Sequence, residues 1–193
     1  MLFATRNRLK FGLASLVGFG LAAAPIIALP SVAAGPAGTG VVISEAYLNG
    51  GSANATYLNK FVELYNPTDA AITLEGTSLQ YRSASGVVNP TTVVPLTGSV
   101  PAKGHFLFQG SSNGTTGAAL PTPDASSNAG NFAGGGGTLF LASQATALVA
   151  PVTGSLINAP GVLDLLGYGG DGTRRIRRRP EDGHRNQSRV PDR

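Results

Sequence analysis

Two glutamates lie inside short apolar and aromatic runs, where carboxylates are uncommon. Glu45 belongs to the run VVISEAY and Glu63 to the run KFVELYN. Both runs alternate as half-buried strands do. The two carboxylates could therefore face each other on neighbouring strands, where they would bind a cation or act as an acid/base pair. In the structural alternative, which we favour, each carboxylate accepts backbone hydrogen bonds or pairs with Lys60 or Arg82.

No other residues complete a catalytic or ligand-binding set. His105 lies in a strand-like run and is expected to be structural or solvent-exposed, without an assignable nucleophile or orienting acid. Asp124 and Asp164 lack the spacing of a calcium loop. The four glycines at 134–137 lead into a strand pattern without a phosphate-binding signature, so they are predicted to form a turn or linker.

The chain has no Cys, which excludes thiol chemistry and cysteine-based metal sites. We therefore predict no catalytic residue, no metal site and no cofactor, and a protein that is not an enzyme. The tyrosines Tyr47, Tyr57, Tyr65 and Tyr81 could form an aromatic strip for carbohydrate or peptide, although sandwich cores routinely contain such residues. The speculative binding residues are Glu45, Tyr47 and Glu63.

Short strands separated by turns must position these side chains. The strand-like segments, in chain order, are Val41–Leu48, Phe61–Tyr65, Ile72–Leu74, Ser78–Arg82, Val93–Leu96, His105–Gln109, Thr138–Ala142 and Val162–Tyr168. Alternation predicts that Ile43 and Tyr47 share one face of the first strand, and that Val62 and Leu64 point inward on the second, with Glu63 outward. No amphipathic helix is predicted beyond the amino-terminal segment. Spacings near ten residues favour an antiparallel sandwich or barrel.

Turn residues separate these segments. Asn66-Pro67-Thr68-Asp69 and Pro101-Ala102-Lys103-Gly104 are predicted turns. A longer stretch at 110–137 is rich in Gly, Ser, Thr, Asn and Pro and contains little that could pack. Stretches of this kind are usually functional or disordered, and we expect a mobile surface loop.

The first 34 residues have the pattern of a secretory signal peptide. Three basic residues within the first ten precede an uncharged apolar run at 11–29, and small residues follow it. This pattern predicts a signal helix and cleavage after Ala33 or Ala34, with 35–40 as a linker to the domain. The mature protein is then expected to be secreted, either extracellular or associated with the cell envelope.

A retained membrane anchor is the alternative interpretation of the same segment. The apolar run approaches the ~18–20 residues that can span a bilayer. We favour cleavage, because Pro25 interrupts the run and an A-x-A-like site follows it. No stable membrane insertion is then expected after cleavage.

The formal net charge of +4 is unevenly distributed along the chain. Residues 41–170 contain three Lys or Arg against six Asp or Glu, a balance of −3, so the ends supply the positive charge. A mildly acidic domain is poorly suited to contacting nucleic-acid phosphates, which requires clustered Lys and Arg. Nucleic acid is therefore a disfavoured partner, and the expected partner is an unknown extracellular polymer or protein.

Several motifs occur in an order that resembles the lamin tail domain family in its bacterial, secreted form. The motifs are ISEAY followed by NGG, then FVELYN, LEGTSLQY, LTGSVPAKGHFL, LPTPD and DLLGYG. The resemblance covers about 41–169. It implies an immunoglobulin-like antiparallel β-sandwich over 41–170, of a kind often found beside secreted nuclease or phosphoesterase domains.

The chain departs from that pattern after Gly170. Residues 171–193 contain eight Arg against four acids, whereas Arg82 is the only Arg between Phe11 and Thr173. Out-of-frame translation of a GC-rich gene gives such a composition, so a frameshift or an early stop could have truncated a longer secreted protein. The alternative is an authentic disordered basic tail that contacts anionic polymers or the cell envelope.

These observations predict a secreted, non-catalytic accessory module for interaction or targeting, truncated from a longer extracellular protein. The alternative is the amino-terminal fragment of a secreted nuclease or phosphoesterase whose catalytic domain is absent from this chain. A metal-dependent enzyme of that kind needs ligands spread over a far larger chain.

Overall fold

The computed structural model describes residues 40–85, 89–149, 156 and 159–169. The strands are β1 (Val42–Tyr47), β2 (Phe61–Tyr65), β3 (Ile72–Thr73), β4 (Ser78–Ser83), β5 (Thr92–Pro95), β6 (Ser99–Val100), β7 (His105–Gln109), β8 (Ala125–Ser126), β9 (Gly136–Ala142) and β10 (Val162–Gly169). The described residues contain no helix, which confirms the all-β prediction. Accordingly, nothing in this part of the chain is a helix long and apolar enough to cross a membrane. The predicted signal helix and the Arg-rich segment lie outside the described residues.

Two four-stranded sheets form the body of the domain. The first sheet has the order β1-β2-β7-β8 and the second the order β10-β9-β4-β5. Paired neighbours are antiparallel except β7 and β8, which are parallel, and β3 pairs with β6 separately. The arrangement is an immunoglobulin-like β-sandwich, as predicted. The two-residue strands β6 and β8 were not predicted: β6 directly precedes the predicted turn at 101–104, and β8 lies within the stretch 110–137 that was expected to be a loop.

Alternating apolar side chains from both sheets build the core between them. Val62 and Leu64 on β2 are fully buried, which confirms their predicted inward orientation. The other central residues are Phe106 and Phe108 on β7, Leu79 and Tyr81 on β4, and Leu139 and Leu141 on β9. Full burial of one such side chain stabilises a fold by roughly 1.5–3 kcal/mol.

A β-bulge interrupts β1 at Ser44. The register with β2 shifts between Ile43 and Glu45, so Ser44 is an extra residue on its strand. Ile43 packs against the core, whereas Tyr47 lies on the outer face, where it stacks on Phe61. The prediction that Ile43 and Tyr47 share a face is therefore wrong, because the extra residue reverses the alternation.

The edge strands of the two sheets are joined at their bulges. β10 also shifts register, between Val162 and Asp164. The Asp164 carboxylate accepts a hydrogen bond from the Ile43 backbone N–H at 2.8 Å. The bond uses an amide that the edge strand β1 would otherwise leave unpaired, and it closes one side of the sandwich.

The stretch 110–137 is anchored to the domain. Phe132 is only 1% exposed and lies between the rings of Phe108 and Tyr81, at centroid distances of 6.4 and 6.2 Å. The short strand β8 also lies within the stretch and pairs with β7. The expectation that little of it could pack is wrong, since one buried aromatic ring and a few backbone bonds hold a polar segment in place.

The outer face of the second sheet is covered by the chain that follows β9. Leu148 is 1% exposed and packs with Phe140, a β9 residue that points away from the main core. Gln80 points to the opposite face from its neighbour Leu79, and it is fully buried. Its amide donates to the Thr146 carbonyl at 2.7 Å and accepts from the Leu148 N–H at 2.8 Å.

Both predicted turns are confirmed. The Asn66 carboxamide oxygen accepts the Thr68 N–H at 3.0 Å, a local bond that stabilises the turn. In the other turn, the Gly104 N–H donates to the Pro101 carbonyl at 3.0 Å. Gly134 and Gly135 form a turn, also as predicted, whereas Gly136 and Gly137 are the first two residues of β9.

Candidate functional site

The outer face of the first sheet brings the three speculative binding residues together. Glu45 lies directly opposite Glu63 in the register of β1 and β2, and Tyr47 lies opposite Phe61. The outward neighbour of Glu63 on β7 is Leu107. We call this surface the acid–aromatic face; its members are Glu45, Glu63 and Asp124, with Tyr47, Tyr57, Tyr65 and His105.

Glu63 connects two polar neighbours on this face. Its Oε1 atom accepts a hydrogen bond from Ser44 Oγ at 2.7 Å and lies 2.9 Å from Nδ1 of His105. The His105 ring lies over the ring of Tyr65 at a centroid distance of 4.8 Å. The side chain of Glu63 is 31% exposed and that of His105 is 54% exposed, so solvent screens the electrostatic attraction in this contact.

This Ser–Glu–His arrangement is not a hydrolytic triad. In such a triad the imidazole lies between the nucleophile and the acid, so that it can take the hydroxyl proton. Here the carboxylate lies in the middle: Ser44 Oγ donates to Glu63, and Nδ1 of His105 points at the same Oε1 atom. The contacts fix the position of Glu63, but they do not place the imidazole where it could take the proton of Ser44 Oγ.

Three aromatic rings form a cluster at one end of the face. Tyr47 stacks on Phe61 at 5.6 Å with an interplanar angle of 16°, and Tyr57 meets both rings edge-on. The Tyr47 hydroxyl accepts the Thr56 N–H at 2.8 Å, which fixes the ring further. Tyr81 lies between the sheets, so the four tyrosines do not form one strip.

Three carboxylates lie in one row across the first sheet. Asp124 precedes β8 beside Leu107, whose N–H donates to its carboxylate at 2.7 Å. The row therefore runs from Glu45 through Glu63 and Leu107 to Asp124. Glu45 is exposed, and no other described residue donates a hydrogen bond to its carboxylate or forms an ion pair with it. Half of the six acids in 41–170 thus occupy this one face.

The basic residues of the described chain lie elsewhere. Lys60 is 2% exposed, and its Nζ atom donates to Asn131 Oδ1 at 2.6 Å. The Arg82 guanidinium lies over the Phe140 ring on the second sheet, 5.8 Å from the centroid. Lys103 lies in the turn before β7. The predicted pairing of the strand glutamates with Lys60 or Arg82 is therefore wrong, and the acid–aromatic face is negatively charged.

The perturbed titratable groups lie away from this face. Burial lowers the pKa of Lys60. Burial also raises the pKa of Asp164, and hydrogen bonds from two backbone amides, one of them that of Ile43, partly oppose the rise. The pKa of Tyr168 is raised, first by burial and then by Tyr81. Each of these groups lies at a packing contact, which indicates a structural role.

The described residues contain no group of three or more His, Cys, Asp or Glu side chains that could hold a metal ion. The carboxylates of Asp164 and Asp124 each accept a hydrogen bond from a backbone N–H, which is a structural role. The predicted cleavage residues Ala33 and Ala34 lie outside the described residues.

Sequence reasoning missed two members of the polar network. Ser44 reaches Glu63 only because the bulge turns it outward. Asp124 joins the row only because β8 runs parallel to β7. Neither the bulge nor the parallel pair has a signal in the sequence, although the LPTPD motif does contain Asp124.

The fold defines the class of protein: it is an immunoglobulin-like sandwich in which the chain after β9 covers one outer face, while the carboxylate row on the other face stays open to solvent. The sequence model of the Lamin Tail Domain family matches residues 34–169. The chain therefore belongs to the lamin tail domain family, which confirms the resemblance at the level of the family. A search of curated proteins found no match.

Proposed function

We propose that the chain is a secreted, non-catalytic interaction module and that the acid–aromatic face is its docking surface. One observation carries the proposal. No described segment covers the row of Glu45, Glu63 and Asp124, which contains no Lys or Arg, whereas the chain after β9 covers the outer face of the second sheet.

The arrangement of the side chains supports a non-catalytic role. The carboxylate of Glu63 is held between a hydroxyl and an imidazole, and the rings of Tyr47 and Phe61 are stacked and fixed. Preorganised polar and aromatic groups on a sheet suit recognition, because little side-chain entropy is lost when a partner binds. The immunoglobulin-like fold of the family agrees with such a role.

The charge of the face favours a cationic partner. Carboxylates pair with guanidinium and ammonium groups, and tyrosine rings attract the same cations through their faces. The proposed ligand is therefore a positively charged segment of an extracellular protein or polymer. Nucleic acid is disfavoured, since its phosphates would meet three carboxylates.

The proposed setting is extracellular and accessory to another activity. The signal-peptide pattern of the first 34 residues supports secretion, and the Arg-rich composition after Gly170 supports truncation from a longer extracellular protein. The alternative setting is the amino-terminal part of a secreted nuclease or phosphoesterase. Downstream reading frames that encode small residues and Pro, or a metal-dependent catalytic domain, would distinguish the two.

Binding of a cationic probe tests the docking surface. A chain ending at Gly170 is titrated with a short Arg-containing peptide of unrelated sequence, followed by fluorescence anisotropy. We expect weak binding that declines as salt increases and is weakened about fivefold or more by Glu45→Gln with Asp124→Asn, because exposed charge pairs contribute up to ~1 kcal/mol each.

The control for that titration is Glu75→Gln. Glu75 is an exposed acid near the β3–β6 pair, away from the acid–aromatic face, and its replacement removes the same charge. It should change the affinity much less than the double variant. Equal losses in both variants, or no binding by the unmodified domain, would reject the docking surface.

Amino-terminal sequencing of the exported protein tests secretion. The mature chain is expected to begin at Ala34 or Gly35. Recovery of material that still begins at Met1 would favour a retained anchor.

A further inference from the structure

We propose that the chain's own Arg-rich segment, residues 171–193, docks on the acid–aromatic face and occludes it from other partners. The inference rests on the proposed function, because it assigns an internal occupant to the same surface. It concerns the segment as this chain carries it, whichever way the segment arose. Three observations support it: the place where the chain leaves the sandwich, the opposite charges of the segment and the acid–aromatic face, and the length of the segment.

The chain leaves the described domain beside the aromatic end of the face. A Cβ atom on Gly169 would lie 2.3 Å from the Cα atom of Gly136, so the two backbones are in contact. Gly134, two residues before Gly136, lies beside the end of β1: a Cβ atom on Gly134 would lie 3.0 Å from the Leu48 carbonyl oxygen. Leu48 follows Tyr47 directly. A segment that starts after Gly169 therefore begins next to the cluster that contains Tyr47.

The charges of the segment and the face are complementary. The segment carries eight Arg against four acids, whereas the face presents three carboxylates with tyrosine rings beside them. Arg suits such a surface better than Lys, because its planar guanidinium can stack on a ring while it hydrogen-bonds to a carboxylate. The apolar residues of the segment are few, chiefly Ile176 and Val190, so the contact is expected to be electrostatic.

Other acidic positions are less accessible to the segment. Asp69 follows the far end of β2 and already pairs with Lys103. Glu75 lies near the β3–β6 pair, away from Gly169. The outer face of the second sheet presents Arg82 and is covered by the chain after β9. The acid–aromatic face is thus the nearest acidic surface that is still open.

The length of the segment is sufficient for docking. An extended chain spans about 3.3 Å per residue, so residues 171–193 can cross the width of a sheet several times over. Attachment at Gly169 gives the segment an effective concentration on the order of millimolar at the face. A contact that is weak between separate molecules would therefore be populated within the chain, and it would compete with an external cationic partner.

A spin label in the segment tests where it lies. Because the chain has no Cys, Ser188→Cys introduces one attachment site for a nitroxide into the full mature chain. Broadening of backbone amide signals is then read by nuclear magnetic resonance. We expect stronger broadening at Glu45, Tyr47 and Tyr57 than at Arg82 and Phe140. Raising the salt to ~1 M, where the Debye length is about 3 Å, should remove the difference.

Charge variants of the labelled chain provide the matched controls. Glu45→Gln with Asp124→Asn should reduce the selective broadening by more than half, whereas Glu75→Gln should leave it unchanged. Uniform broadening, broadening centred on the second sheet, or equal responses to both variants would overturn the proposal. Broadening seen only between separately labelled molecules would also overturn it, because the occupant would then be the segment of a second copy.

The probe titration distinguishes failure of this inference from failure of the proposed function. If the chain ending at Gly170 binds the cationic probe but the full chain binds it equally well, the face is a docking surface that the segment does not occupy. Occlusion instead predicts an affinity for the full chain that is lower by about tenfold or more, as expected for an intramolecular competitor at high effective concentration. If the shortened chain does not bind, the docking surface itself is rejected.

Discussion

The outer faces of the two sheets differ in how far other parts of the chain cover them. On the first sheet, β7 and the part of β2 after Phe61 alternate between buried and partly exposed residues, so their outer side chains reach solvent, whereas Phe61 itself is covered by Tyr47 and Tyr57. On the second sheet, most residues of β4 and β9 are buried, because the chain after β9 covers their outer side. One sheet thus contributes its outer face to stability, and the other leaves its outer face for contacts with solvent or a partner.

The polar residues of the two faces follow the same division. Gln80 on the second sheet is fully buried, and both ends of its amide are hydrogen-bonded, since a buried polar group without a partner is costly. Glu45 on the first sheet is a charged side chain that solvent can stabilise. Substitutions on the second face should therefore affect stability, whereas those on the first should affect binding.

A matched pair of leucines gives the largest expected contrast. Leu148→Ala should lower the free energy of unfolding by about 2–5 kcal/mol, because it opens a cavity under the covering segment. Leu107→Ala, on the partly exposed outer side of β7, should cost about 1 kcal/mol or less. Urea denaturation of both variants measures the difference. Similar losses would mean that the first face is covered as well.

A matched pair of glutamines gives the next contrast. Gln80→Ala should cost about 1–3 kcal/mol, because it leaves the buried Leu148 N–H without its acceptor, whereas the Thr146 carbonyl keeps a hydrogen bond from the Gln144 amide at 3.0 Å. Gln109→Ala on β7 changes an outer side chain and should stay within about 0.5 kcal/mol. If Gln80→Ala were equally mild, the covering segment would not depend on this amide.

Lys60 is the exception on the first sheet, since it is a buried cation beside β2. Its lowered pKa means that the unfolded state binds more protons at alkaline pH, so Lys60 makes stability rise with pH up to its unfolded pKa of about 10.5. Lys60→Met removes this dependence. Unfolding free energies measured from pH 7 upward should therefore show a wild-type minus variant difference that increases with pH.

Tyr168 changes the stability with pH in the opposite direction to Lys60, and it does so in both the wild type and the Lys60→Met variant. Its raised pKa lowers stability at high pH, and it cancels when the variant is subtracted from the wild type. A difference that stayed constant with pH would show that the Lys60 ammonium is as well solvated in the fold as in the unfolded chain.

Asp164 gives the smallest effect, at the contact that joins the two sheets. Because its pKa is raised in the fold, its contribution to stability is complete below about pH 3.9 and is lost as pH rises through the folded pKa. Asp164→Asn keeps an acceptor for the Ile43 N–H and cannot ionise. The stability of the wild type relative to this variant should fall as the pH increases from 3 to 7. A rise would mean that the hydrogen bonds outweigh burial.

The eight predicted strands all occur, and all but the two-residue β3 contain enough residues to show alternation. FVELY on β2 is an example in which the pattern predicts both the strand and its inward residues, Val62 and Leu64. For HFLFQ on β7 it predicts the strand. The β1 prediction placed the strand correctly but assigned Tyr47 to the face of Ile43. The bulge at Ser44 depends on pairing with β2, and a single strand cannot reveal it.

The sequence predicted several residues of the candidate site, but it did not predict the contacts that these residues make. The sequence by itself determined that Glu45, Tyr47 and Glu63 belong to strands and that no cysteine chemistry is possible. Alternation is a local property, so it can be read without the fold. Only the tertiary structure decided that Glu63 binds Ser44 and His105 and that Asp124 completes the row. These contacts join residues far apart in the chain, and strand order and register alone bring them together.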